Sequence, residues 1–182
     1  MNRRDAIHRA GLLAGAATLW ASLPARTWAA LAAPAGWSAE EENLLSLIGD
    51  TIIPATASSP GAGSVGIGRF IITQAGECYV AGTGEALRRG LREIRDASQR
   101  EFSKPFEDLN VAQREKVLTD YERQASGGRG NAINPFRLMK ELTLLGYFTS
   151  EPGATRALRY LPVPGGYRGS LPLGQDDRCW AL

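Results

Sequence analysis

The chain has 182 residues, of which 43% are hydrophobic and 22% charged, and its formal net charge is +2. These are ordinary globular values, and they exclude wholesale disorder and collagen-like repeats. Arg3, Arg4, Arg9 and Arg26 stand against Asp5 alone in the first 32 residues, which leaves 17 bases and 18 acids in the rest of the chain. A body so close to neutral gives no case for binding nucleic acid.

Residues 1–32 read as an export signal. Asn2-Arg3-Arg4-Asp5-Ala6-Ile7 opens a positive n-region, residues 10–25 carry no charge, and Ala30-Leu31-Ala32 is a cleavage triplet. The uncharged run is interrupted by Gly11, Gly15 and Pro24 and is shorter than the roughly 20 apolar residues a membrane span needs. The paired Arg3 and Arg4 ahead of a weakly apolar run point to the twin-arginine route. That route moves folded cargo, and it implies a periplasmic protein.

Cleavage near Ala32 leaves a mature chain of about 150 residues, enough for a workable core. The chain's one histidine, His8, is lost with the signal. No Ser-His-Asp or Cys-His catalytic arrangement can then be built. Only Cys78 and Cys179 remain as thiolate ligands, too few for a structural zinc or an iron–sulfur cluster. A Cys-x-x-Cys-His haem site is absent as well. No cofactor or metal site is expected in this chain.

Along the mature chain, Ser38-Ala39-Glu40-Glu41 forms a capping box. Leu44, Leu45, Leu47, Ile48 and Ile52 follow at helical spacing until Pro54. Residues 54–68 are a Pro/Gly/Ser loop. Within it, Gly61 to Gly66 matches G-x-G-x-x-G, but no strand precedes it, so a plain glycine-rich loop is the better reading than a dinucleotide site. Residues 69–80 fit a helix better than a strand, with Ile67, Phe70 and Ile71 on one face. Thr83 is expected to cap the next helix, with Leu87, Leu91, Ile94 and Phe102 inward and the pairs Glu85–Arg89 and Arg92–Asp96 outward, ending at Lys104-Pro105. Arg88, Arg92 and Arg95 share a face with interleaved acids, which suits a solvated surface better than an anion site.

Asn110 with Gln113 starts a further helix with the stripe Val111, Val117, Leu118 and Tyr121. Ser126-Gly127-Gly128-Arg129-Gly130 is a flexible loop. Asn134 and Pro135 open the strongest helix, lined by Phe136, Leu138, Met139, Leu142, Leu145 and Phe148. A short helix follows over residues 151–160, and beyond Leu161 prolines and glycines forbid regular structure. The fold expected is a small all-α bundle of about five helices over residues 33–160, with an irregular tail over residues 161–182.

That tail carries Tyr160, Tyr167, Leu171, Leu173 and Trp180 without the means to form a core. It is either a strap on its own helical domain or a segment ordered against another subunit, where aromatic anchors on a proline-stiffened backbone dock at little entropic cost. Cys78 and Cys179 leave three states open: a bond to each other, a bond to a partner chain, or two free thiols. An internal bond would close a loop of about 100 residues, worth about 4–5 kcal/mol in the chain-entropy model.

Three stretches together resemble one family: Asp50-Thr51-Ile52-Ile53-Pro54-Ala55-Thr56 with Pro60-Gly61-Ala62; Leu142 through Gly146-Tyr147-Phe148-Thr149-Ser150-Glu151 to Gly153; and Tyr160 through Pro164-Gly165-Gly166-Tyr167 to Trp180. With the twin-arginine start, they resemble the gluconate 2-dehydrogenase subunit 3 family, the small or gamma subunit of bacterial sugar dehydrogenases. The resemblance implies a non-catalytic subunit that helps a flavin partner fold and carries it through the twin-arginine pore. That partner would be an FAD-dependent enzyme of the glucose–methanol–choline type, and a multihaem cytochrome c subunit is a further possible partner. Tyr147, Phe148, Tyr160, Tyr167 and Trp180 are the candidates for the partner interface. The competing reading is a stand-alone periplasmic sugar-binding protein or carboxylate enzyme that recruits Glu101, Glu107 and Asp108.

Overall fold

The computed structural model describes residues 36–125 and 133–163 and, in the tail, residues 165–166, 170, 172, 174 and 177–181. All of them belong to the unit Pro34–Leu182. The export segment with Arg3 and Arg4, the loop at 126–130, and Tyr167, Leu171 and Leu173 lie outside the described residues.

Five α-helices are found among the described residues, and the all-α expectation holds. Helix α1 (Ala39–Ile52) starts on the capping box: the Glu41 N–H donates to Ser38 Oγ at 3.1 Å, and the Ser38 N–H donates to Glu41 Oε2 at 2.9 Å. Leu44, Leu45 and Ile48 turn inward. A 3₁₀ turn (Ala62–Val65) leads into α2 (Ile67–Glu77), so the β-branched run is helical. Its Ile67, Ile71, Ile72 and Ala75 share one buried face at helical spacing.

Helix α3 (Thr83–Phe102) is capped by Gly82, at φ 91°, and not by Thr83. Thr83 lies inside the helix, and its Oγ1 donates back to the Val80 carbonyl at 2.7 Å. The arginines of α3 meet acids other than those of the expected Glu85–Arg89 and Arg92–Asp96 pairs. Arg88 meets Glu41 of α1 at 3.4 Å and stacks over Trp37, Arg95 meets Glu107 at 3.2 Å, and Arg89 pairs with Glu93. A second 3₁₀ turn (Phe106–Asp108) drives Phe106 fully into the core.

Helix α4 (Val111–Ala125) opens on a reciprocal cap: the Gln113 N–H donates to Asn110 Oδ1 at 2.9 Å, and the Asn110 N–H to Gln113 Oε1 at 3.1 Å. Its buried stripe is Val117, Leu118 and Tyr121, whereas Val111 in the first turn is exposed. Helix α5 (Pro135–Thr149) has Asn134 as its cap, which accepts from the Arg137 N–H at 3.1 Å. It packs on all four other helices, and the ring of its Phe136 meets Tyr121 edge-on at 5.7 Å. The short last helix is of π type. It is a π-turn (Gly153–Ala157), closed by the Leu158 N–H on the Gly153 carbonyl.

Besides Val111, two residues of α5 expected to line the core do not. Leu145 is 47% exposed and Phe148 is 37% exposed. The reason is angular. At 100° per residue, Leu138, Met139, Leu142, Thr143, Gly146 and Tyr147 fill one half of α5. Leu144, Leu145 and Phe148 fall on the other half, in line with the Arg137–Glu141 ion pair.

One polar atom in this core is unanswered among the described residues: Thr143 Oγ1 is buried with no hydrogen-bond partner. A buried orphan hydroxyl carries its desolvation cost without return. Thr143→Val replaces it with a methyl of the same shape and should raise unfolding stability by about 1 kcal/mol in urea titration; a loss of stability would show that the hydroxyl is paired in solution.

Candidate functional site

Two stretches of sequence set apart by their composition, residues 50–63 and 142–153, meet in space. Asp50 sits in the last turn of α1, where an acid opposes the negative end of the helix dipole and needs a donor from elsewhere. It finds one in the glycine string: the Gly63 N–H donates to Asp50 Oδ1 at 2.9 Å, while the Ala62 N–H donates to the Ile53 carbonyl at 3.0 Å. The glycine-rich loop therefore folds around the chain's own carboxylate.

Tyr147 reaches the same loop from α5. Its ring is 1% exposed, and its hydroxyl donates to the Pro60 carbonyl at 2.7 Å. The preceding Gly146 lets α5 approach α2, since a Cβ there would press on Phe70 and Ile67. On the other side, Ser150 Oγ donates to the Tyr147 carbonyl at 2.6 Å and accepts from the Gly153 N–H at 3.2 Å. A Cβ at Gly153 would run into the Tyr147 carbonyl oxygen, so the π-turn can fold back on α5 only with glycine at that position.

Of the residues expected at a partner interface, Tyr147 is buried in the described fold, and its hydroxyl is engaged by Pro60. Phe148 beside it, with its ring centroid 5.3 Å from that of Tyr147, points outward and joins Leu144 and Leu145 in an exposed apolar ridge. Tyr160 and Trp180 are also exposed. The described end of the tail returns to the residues after the π-turn. The Arg159 N–H donates to the Cys179 carbonyl at 2.8 Å, the Ala181 N–H donates to the Arg159 carbonyl at 2.9 Å, and the Arg159 guanidinium lies 4.2 Å over the Trp180 ring. Cys78 and Cys179 are both exposed and are not bonded to each other.

The carboxylates of the competing enzyme reading have structural partners. Glu101 pairs with Lys116 and Glu107 with Arg95, while Asp108 is exposed in its 3₁₀ turn. Lys116 also binds Asp120, and that hydrogen bond holds the Asp120 carboxyl below its usual range. Burial, followed by the Glu93 carboxylate that accepts its proton, pushes the Tyr121 phenol well above its usual range. A surface groove of about 420 Å³ between α2 and α3 is lined by Tyr79, Val80, Thr83, Glu85 and Arg88. Its arginine is already taken by Glu41, the Gly36 carbonyl and Trp37. Among the described residues, no three His, Cys, Asp or Glu side chains gather to hold a metal ion.

These features define a small α-helical protein whose distinctive polar residues brace its own fold and whose last helix leaves Leu144, Leu145 and Phe148 exposed. The chain belongs to the gluconate 2-dehydrogenase subunit 3 family, whose profile matches residues 39–165, from the first residue of α1 into the tail. It is thus a subunit of a dehydrogenase complex. No curated protein and no solved structure matches the chain. Among the described residues, no helix is long and apolar enough to cross a membrane.

Sequence reasoning had quoted Asp50, Pro60 and Gly153 without a role for them. The acid in a final helical turn was the available signal for Asp50; nothing in the sequence marked Arg159. If the Tyr147 hydroxyl is the brace described, Tyr147→Phe should cost about 1–2 kcal/mol in urea unfolding, because the Pro60 carbonyl loses its donor. An unchanged midpoint would mean that water answers Pro60 equally well.

Proposed function

We propose that this chain is the non-catalytic small subunit of a periplasmic, FAD-dependent sugar dehydrogenase, which accompanies the flavin subunit of the glucose–methanol–choline type through folding and twin-arginine export. Membership of the subunit 3 family over residues 39–165 carries this reading. In it, the flavin and the sugar pocket belong to the partner, which supplies the redox chemistry. A cytochrome c subunit takes the electrons onward.

The contribution of this chain is surface and timing. Residues 33–182 contain no histidine, and of the candidate carboxylates Glu101 and Glu107 stand in ion pairs with Lys116 and Arg95. Leu144, Leu145 and Phe148 give the partner an apolar ridge on a helix that is itself held by four neighbours. Covering what remains exposed of three such side chains is worth roughly 1 kcal/mol each. The Arg3-Arg4 segment gives the assembled pair its export address, which explains why a folding aid and an export signal would share one chain.

The test is deletion of this chain with the flavin subunit left in place. The expected outcome is flavoprotein that stays insoluble or cytoplasmic, with periplasmic sugar-dehydrogenase activity lost. Complementation with the wild-type chain should restore both, whereas a chain carrying Leu145→Ser and Phe148→Ser should fold normally by circular dichroism yet fail to restore them. Full export and activity in the deletion strain would overturn the proposal.

A further inference from the structure

We propose that Arg159 and Trp180 form a clasp that holds the C-terminus in one geometry before assembly, so that the apolar edge beside it is offered to the dehydrogenase partner already ordered. This deepens the reading of the chain as a small subunit and rests on it.

The observation is a parallel pairing with no sheet around it. Arg159 and Trp180 form an isolated bridge of extended backbone, made by the Arg159 N–H on the Cys179 carbonyl and the Ala181 N–H on the Arg159 carbonyl. Two side chains reinforce it: the Arg159 guanidinium over the Trp180 ring at 4.2 Å, and Arg178 donating to the Arg156 carbonyl. A two-residue pairing is marginal in water by itself, so the cation–π contact matters to its survival.

What the clasp holds is apolar and unburied. Tyr160, Leu161 and Trp180 are each about half exposed, and Val163 is 79% exposed. Ordering a chain costs entropy that its contacts must offset. A fixed apolar edge in water therefore makes physical sense as a surface that a second protein covers. The first arm is also rigidly placed, because it leaves the π-turn that Ser150 and Gly153 pin to the Tyr147 carbonyl. The same α5 carries the outward Leu144, Leu145 and Phe148 a few turns before it. The occupant is the other subunit of the dehydrogenase complex, since the chain belongs to a family of such subunits. The family match ends at residue 165, so the second arm of the clasp lies in sequence that the match does not cover.

The test uses the full chain, first alone and then with the flavoprotein that co-purifies with it. In the chain alone, the Arg159 and Ala181 amides should be protected from hydrogen exchange. Arg159→Ala should abolish that protection, and Arg159→Lys should keep part of it. Equal exchange in wild type and Arg159→Ala would overturn the clasp whatever the partner does. Titrated into the separated flavoprotein, Arg159→Ala should bind roughly two- to fivefold more weakly. Adding Arg159→Ala to Trp180→Ala should cause no further loss, because the two residues act through each other. Unchanged affinity, or losses that add in full, would overturn the presentation of the edge. So would self-association of the wild-type chain that Arg159→Ala dissolves, because the edge would then serve a second copy. If no flavoprotein co-purifies at all, the subunit reading fails and the presented edge fails with it, while the exchange data still show whether the clasp exists.

Discussion

The Tyr147 hydroxyl donates to the Pro60 carbonyl across 2.7 Å with the ring almost wholly out of water, and much of the fold is arranged around that contact. Pro60 begins the glycine string that Asp50 gathers at the end of α1. The carbonyl of Tyr147 in turn receives Ser150 Oγ, which takes the Gly153 N–H and fixes the π-turn. Tyr147, Asp50 and Ser150 thus join α1, the glycine loop, α5 and the start of the tail. A buried hydroxyl of this kind is costly to leave unpaired, which makes the arrangement specific as well as stabilising.

This bracing decides what α5 can show to the outside. An apolar residue on the outer half of a surface helix is normally replaced by a polar one. In α5 the inner half is spent on the four other helices, and the outer half ends in Leu144, Leu145 and Phe148. The chain therefore presents exposed apolar side chains on a helix that packs against the four others. Its membership of the gluconate 2-dehydrogenase subunit 3 family gives that surface a context in a dehydrogenase complex.

Much of this was legible in the sequence where local chemistry decides the outcome. The capping pairs Ser38–Glu41 and Asn110–Gln113 and the cap at Asn134 stand where residue types alone place them. Thr83 was misread because a hydroxyl before an apolar run resembles a cap, whereas Gly82 reaches the positive φ that the turn there adopts. Leu145 and Phe148 were read inward because six apolar residues at helical spacing do not say which half of a helix meets its neighbours. Tyr147 was read outward for the complementary reason: its burial depends on Pro60, 87 positions away. The glycine string could be dismissed as a dinucleotide site from the absence of a preceding strand, but its true partner, Asp50, emerged only when α1 and the loop were seen together. The Arg159–Trp180 contact had no local signature at all, since it depends on how the tail returns.

The central claim is that this chain travels with a flavoprotein and holds no redox group itself. The most direct test is to place an affinity tag at its C-terminus in its native host, purify it gently from the periplasmic and membrane fractions, and record the visible spectrum of the eluate. A flavin spectrum with a co-eluting chain of flavoprotein size is the expected result, with haem bands added where a cytochrome completes the complex. A colourless eluate containing this chain alone would contradict it.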